Sequence, residues 1–264
     1  ELDSVYLEAI KSSVEGRVVI EKYIEGKTKV DAYYSVINGE VALLSVSDAV
    51  FAKDNGRERV VQSAWLLPSR YQKSYVAKVD PAVRRMIADI GLLNGYLFVS
   101  SFVVDDGGGF AVFEAGFRLC GGHFYNYFEK KGLPNVLDIF IIHALTGNLE
   151  VMEGMRDERP SLKCVDINFY AKPGRIGSIQ GFEEVGHLPE TVASVQHALV
   201  GQECTGGRAI LPKIGLVGFC GDDPSVLALC VERCYDSIRV QNDAHADMIY
   251  DRVDSSIVAH WWDD

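Results

Sequence analysis

The sequence predicts an α+β chain, with an antiparallel sheet and flanking helices followed by a smaller α+β unit. Three observations predict it. Asn38-Gly39 separates two alternating, strand-like runs, residues 31–36 and 41–46, and both residues of that dipeptide tolerate positive φ, as a tight hairpin requires. A second pair of runs, residues 96–104 and 110–114, flanks Asp105-Asp106 and a stretch of glycine. Apolar residues at helical spacing mark further segments around these hairpins.

Taken in order, residues 3–13 place Val5, Tyr6, Ala9 and Ile10 on one helical face, with Gly16 just beyond. Residues 17–24 read as a strand with a polar break near its end, and Glu25-Gly26 as a turn. The charged stretch 53–60 reads as an exposed loop or a frayed hairpin. Pro81 opens a helix: Asp80 suits its N-cap, proline suits its first turn, and Val83, Met86, Ile87 and Ile90 form an apolar face. Asn135 is a cap for a helix over 133–145. Residues 146–163 lose apolar periodicity and carry glycine, acidic residues and Pro160, so a domain boundary is expected between 155 and 156. Beyond it, 164–171 alternates like a strand, and 210–219 reads as one strand or a strand pair. Asp223-Pro224 then opens a helix to about Ser237, with Val226, Leu229, Cys230, Val231 and Cys234 as its buried stripe.

With 264 residues of which 48% are hydrophobic, the chain is neither disordered nor collagen-like. A formal net charge of -11 argues against nucleic acid as a partner, since that takes a broad basic footprint, yet leaves room for a small phosphate site. No apolar run reaches the roughly 18 residues of a spanning helix, so no membrane partner is expected. The six cysteines form no CxxC pair. Cys230 and Cys234 read as reduced, metal-free core thiols, and a reducing cytoplasm is the expected location.

The candidate chemistry lies in Phe-Glu-Ala-Gly-Phe-Arg-Leu-Cys-Gly-Gly, residues 113–122. Alternation puts Glu114, Gly116 and Arg118 on one side of an extended chain. A carboxylate there can hold Mg²⁺, and a guanidinium can hold phosphoryl oxygens. Gly116 would let a ligand approach the backbone. A surface Glu–Arg pair beside a glycine-rich turn is the alternative. A second cluster, Glu21-Lys22-Tyr23-Ile24, can present backbone groups to the edge of a flat base, or be a solvated hairpin edge. His123, Tyr125 and Asn126 follow the glycine pair, and His123 is an acid–base candidate.

In this order and spacing the two clusters resemble the ATP-grasp superfamily of ATP-dependent carboxylate-amine ligases. The resemblance touches most of the chain and is most specific over 95–122. It implies a partial ATP-grasp domain over 1–155, the C-terminal subdomain of that fold, and a C-terminal α+β domain over 156–264. The N-terminal part, with its lysine strand and glycine-rich lid, would lie upstream of Glu1, so that this portion alone would bind ATP poorly and not catalyse ligation. ATP and Mg²⁺ are the implied cofactors, and small-molecule carboxylates and amines (or thiols) the implied partners; a homodimer is compatible with it. Glu21, Lys22, Tyr23 and Ile24 would line the adenine hinge. Asp31 is the acidic residue near the ribose position. Glu114 would ligate Mg²⁺ and Arg118 would act on the transferred phosphoryl. Gly116 stands where many members have asparagine, and Ser100 or Ser101, with Ser101 preferred, would replace the carboxylate that members carry on the preceding strand. The implied activity is ligation through an acylphosphate. A degenerate relative that binds a nucleotide without ligating is the alternative.

Overall fold

A computed structural model describes residues 2–24, 28–54, 57–105, 108–149, 161–205 and 211–263. In chain order these form α1 (Leu2–Ser12), β1 (Lys29–Ile37), β2 (Glu40–Asp54), β3 (Arg57–Leu67), α2 (Gln72–Lys78), α3 (Asp80–Asp89), β4 (Gly95–Val104) and β5 (Gly109–Gly116). There follow α4 (Phe124–Lys130), α5 (Val136–Thr146), β6 (Lys163–Tyr170), β7 (Gly174–Gln180), α6 (Phe182–Gly186), β8 (Thr191–Gln196), β9 (Glu203–Cys204), β10 (Lys213–Gly221), α7 (Pro224–Ser237), β11 (Arg239–Asn242) and α8 (Ser255–His260). Among the described residues, no helix is long and apolar enough to cross a membrane.

An eight-stranded antiparallel sheet, ordered β5-β4-β1-β2-β3-β6-β10-β8, organises the chain, and β11, β7 and β9 form a small second sheet. Alternation sorts the side chains of the large sheet. Val30, Ala32, Tyr34 and Val36 of β1 face Tyr75 of α2 and Val83 and Ile87 of α3. Val165, Ile167 and Phe169 of β6 continue that face against α6, α7 and α8. Tyr33, Trp65 and Phe98 point the other way, toward α4 and α5. The boundary expected between 155 and 156 lies outside the described residues. β3 and β6 flank it in sequence and pair directly, Trp65 opposite Asp166, so one sheet runs through both expected domains.

Local chemistry explains most boundaries. Asn38 and Gly39 take φ of 50° and 83°, the two positive values a type I′ hairpin needs. Asn135 accepts from the Leu137 N–H at 2.9 Å and Asp223 from the Ser225 N–H at 2.8 Å, each capping its helix. Asp80 does not cap α3. It is the first helical residue, and its carboxylate takes the Arg84 Nε–H at 2.7 Å instead. On α7, Cys230 and Cys234 are buried as free thiols, whereas Val226 and Leu229 face outward. The largest departure is residues 17–24, which form no strand. A strand needs a neighbour to bond, and among the described residues none pairs with this stretch; Val19 and Ile20 stand exposed. Residues 25–26, expected as a turn, lie outside the described residues.

α4 is fixed to the sheet by aromatic packing. The Phe124 ring lies 5.1 Å from Tyr33 and 5.6 Å from Trp65, the latter edge-on. It also covers Gly122, where an added Cβ would stand 2.6 Å from the ring. Phe124→Ala is expected to lower stability by about 3–5 kcal/mol. Urea denaturation checks this; a loss under about 1 kcal/mol would mean that the site collapses around the truncated side chain.

Candidate active site

Asp31 on β1 lies opposite Ser100 on β4, and Ser100 lies opposite Glu114 on β5. Directly opposed residues share a face, so the three form a row across three strands on the α4–α5 side. A bulge between Ser100 and Ser101 leaves Glu114 in this row although Ser101 pairs with Val112. Above the row opens a cavity of about 420 Å³. Its walls include Lys29, Tyr33, Trp65, Phe98 and Arg118, then Cys120, Gly121, Gly122 and Phe124, and finally Tyr170 and Lys213. A flat sheet would separate β5 from β10 by roughly 29 Å. Twist and coiling bring their residues around one cleft.

The cleft is charged and largely self-paired. Lys29 Nζ donates to Asp31 Oδ2 at 2.8 Å, the Trp65 indole N–H reaches the same oxygen at 3.4 Å, and the Ser100 hydroxyl donates to Asp31 Oδ1. Arg118 Nη2 lies 3.5 Å from Glu114 Oε1, and its guanidinium sits 4.9 Å from the centre of the Phe98 ring. On the β10 side, Lys213 Nζ donates to the Gly121 carbonyl at 3.3 Å. Asp166 of β6 is buried nearby, with one oxygen lacking any partner. Burial pushes its carboxyl up to about 7, against the opposing pull of Lys213 and a hydrogen bond from the His123 backbone. Burial also lowers Lys213, while Asp166 and Cys120 act the other way. His123 and His197 are held below the usual histidine value by burial and by the Lys213 charge.

Glu21, Lys22, Tyr23 and Ile24 line a second cavity of about 480 Å³, closed by Phe102, Ala111, Val112 and Phe113. Phe102 and Phe113 stack at 4.8 Å. Phe102 is two residues along β4 from Ser100 and points to the same face, so the cavities are neighbours with separate walls. Asp31, placed by the sequence with the hinge residues, belongs to the first cavity. Ser101 is not in the cleft: it opposes Val30 on the α2–α3 face, buried with its hydroxyl unpartnered, and Ser100 holds the place expected for it. Gly116 is not an opening for a ligand, because the Phe98 ring fills the space; an added Cβ would meet it at 2.3 Å. This packing also explains why glycine, not asparagine, stands there. Asn126 ties α4 to the sheet through the Val192 carbonyl at 2.8 Å, and His123 stacks on Tyr125 at 5.2 Å.

Sequence reasoning missed Lys29, Trp65, Asp166 and Lys213. A signal existed for Asp166: Asp166 and Asn168 alternate with Val165, Ile167 and Phe169, which marks a polar position on one face of a buried strand.

The residues suit a phosphate-borne Mg²⁺ better than a protein-held one. Among the described residues, no group of three or more His, Cys, Asp or Glu could hold a metal. Glu114, with a side chain 46% exposed, can supply the single carboxylate that Mg²⁺ takes when water and phosphate oxygens complete its shell. The aromatic wall of Phe102 and Phe113 suits a flat ring.

No family model matches the chain, and no curated protein matches it. Solved structures do. The chain is similar to an L-amino acid ligase from Bacillus licheniformis at 17% identity and a TM-score of 0.66, over 84% of this chain and 55% of that one. It is similar to phosphoribosylglycinamide synthetase from Anaerococcus prevotii at 13% identity and a TM-score of 0.68, over 92% and 61%. It is also similar to the biotin carboxylase domain of the Hydrogenobacter thermophilus 2-oxoglutarate carboxylase, solved with MgADP, ADP and bicarbonate, at 14% identity and a TM-score of 0.67, over 99% and 55%. These likenesses show an ATP-grasp-like subdomain fold with an antiparallel sheet and flanking helices. The chain spans little more than half the length of those structures.

Proposed function

We propose that this chain is the metal- and acceptor-side portion of an ATP-dependent ligase that joins a small carboxylate to an amine or a thiol through an acylphosphate. The observation that carries this reading is the Asp31–Ser100–Glu114 row with Arg118 beside it, next to the cavity lined by residues 21–24. Residues 21–24 would present backbone groups to the edge of the base, with the Phe102–Phe113 pair against its face. Glu114 would hold Mg²⁺, which neutralises charge on the phosphates when bound. Arg118 would leave Glu114 and turn its fork to the transferring phosphoryl group. A carboxylate oxygen takes the γ-phosphoryl of ATP as the bond from that phosphorus to ADP breaks and ADP leaves; the nucleophile then attacks the carbonyl carbon, the bond from that carbon to the phosphate oxygen breaks, inorganic phosphate leaves, and the amine or thiol gives up a proton to solvent. Phe98, Trp65 and Phe124 form apolar walls that exclude water from that intermediate.

A second reading, a nucleotide-binding protein without ligation, is favoured by the Ser100 hydroxyl, which is spent on Asp31 where relatives of this fold are expected to carry a metal-binding carboxylate. Two measurements decide. MgADP is expected to raise the unfolding midpoint of the intact protein more than ADP alone, and no shift at saturating nucleotide removes both readings. ADP release that depends on an added amino acid selects the ligase; nucleotide binding with no such release under a broad amino-acid panel selects the second reading.

A further inference from the structure

Among the described residues, three cations and two carboxylates line the cleft, and the match between them is uneven. Lys29 is paired with Asp31 at 2.8 Å and Arg118 with Glu114 at 3.5 Å. Among the described residues, the only hydrogen-bond partner of Lys213 Nζ is the neutral Gly121 carbonyl at 3.3 Å, and no carboxylate oxygen lies within ion-pair distance of it. It is half-buried, so water compensates its charge only in part. Asp166, buried opposite Trp65, forms no ion pair with it and has one oxygen without a partner, and burial holds its carboxyl up to about 7, so that it is only a partial anion at neutral pH. His123, His197 and Cys120 also feel its charge, but each supplies at most a weak anion at neutral pH, since burial raises the Cys120 thiol and the imidazoles are neutral or positive. A cation lodged in a cleft beside a carbonyl, with its neighbours already matched, lacks a counter-charge that a ligand can bring.

We propose that Lys213 is the side chain that seats the carboxylate of the acceptor substrate in this cleft. The inference rests on reading the cleft as the acceptor site of a ligase, and gives that reading a specific anion-binding residue. An acidic or amino-acid substrate suits it, because one carboxylate can meet Lys213 while its amino group faces the carboxylates of the row.

The test uses competitive acetylation of the native protein with trace acetic anhydride, read by mass spectrometry, with surface Lys172 as internal reference and succinate as the probe. Succinate at ten times its dissociation constant is expected to slow acetylation of Lys213 about tenfold relative to Lys172, by mass action alone. Lys213→Arg should keep succinate-induced thermal stabilisation, and Lys213→Met should lose it. If succinate leaves Lys213 labelling unchanged relative to Lys172, the proposal is wrong, and this holds even if Lys213→Met fails to fold. Protection of Lys213 together with no response to MgADP would support the carboxylate site and sink the ligase reading. A response to MgADP without protection of Lys213 would do the reverse.

Discussion

If the proposed ligation is right, Glu114→Gln is expected to cut carboxylate-dependent ADP release by the intact protein by roughly two to three orders of magnitude while leaving its unfolding midpoint almost in place. The two effects separate because they draw on different environments. In the resting structure Glu114 belongs to a half-exposed pair with Arg118 on the edge strand β5, and such pairs contribute roughly 0–1 kcal/mol to stability. In the reacting state its charge would face Mg²⁺ in a cleft walled by Trp65, Phe98 and Phe124, where screening is weaker. Glutamine keeps the volume and one oxygen but removes the formal charge. The lost term is metal affinity, so raising Mg²⁺ should restore part of the rate.

Arg118→Ala should show the same separation without rescue by Mg²⁺. Arg118→Lys tells charge from geometry, since lysine keeps the charge and loses both the planar fork and the stacking on Phe98. Steady-state ADP release across a Mg²⁺ titration, with thermal unfolding on the same samples, is the measurement. Near wild-type turnover of Glu114→Gln at limiting Mg²⁺ would remove the metal role and leave only the fold in common with the ligases.

Features set by a few neighbouring residues were legible in the sequence; features set by distant contacts were not. The Asn38-Gly39 hairpin, the Asn135 and Asp223 caps and the β4–β5 pair depend on local backbone chemistry, and each stands where the residues put it. The short helices α2 and α4 escaped notice because they are held by packing against the sheet, through Tyr75 and Phe124, and not by their own periodicity. Ser101 was preferred over Ser100 because parity along β4 has to be referred to the core, and the bulge beside Ser100 shifts the register with β5 by one residue. Gly116 was read as an opening because the ring that fills it, Phe98, comes from the neighbouring strand. Lys213 was missed for the same reason, and the alternation along β6 marks Asp166 only as a polar position: the setting of both is assembled from β3, β6, β10 and the loop before α4, and no stretch of sequence contains it.

The Asp166 carboxyl should also leave a mark on stability as a function of pH. In the folded chain burial holds its proton to about pH 7, whereas in the unfolded chain it titrates near the ordinary value of 3.8. Between those values the folded state binds more protons than the unfolded state, so stability falls as pH rises. The contribution is complete below about pH 4 and is lost as pH passes through 7, with an upper bound of roughly 4 kcal/mol. Asp48, buried and likewise raised, adds a slope of the same sign. His123 and His197 act oppositely: each is lowered, so the unfolded state binds the extra proton, and stability rises with pH toward the ordinary histidine value. The wild-type curve is therefore a composite, and the informative quantity is its difference from Asp166→Asn. Asparagine keeps the volume and an acceptor for the His123 N–H but cannot titrate. Urea denaturation of both proteins from pH 5 to pH 8 should show the variant gaining on the wild type, most steeply between pH 5 and about pH 6, where the folded carboxyl is protonated and the unfolded one is not, and levelling off as pH passes through 7. Its absolute stability at pH 5 need not match, since the amide brings new donors to a buried position; only the change with pH carries the assignment. Parallel curves would mean that Asp166 is ionised throughout the range, and that Lys213 already has in it the counter-charge otherwise left for a ligand to supply.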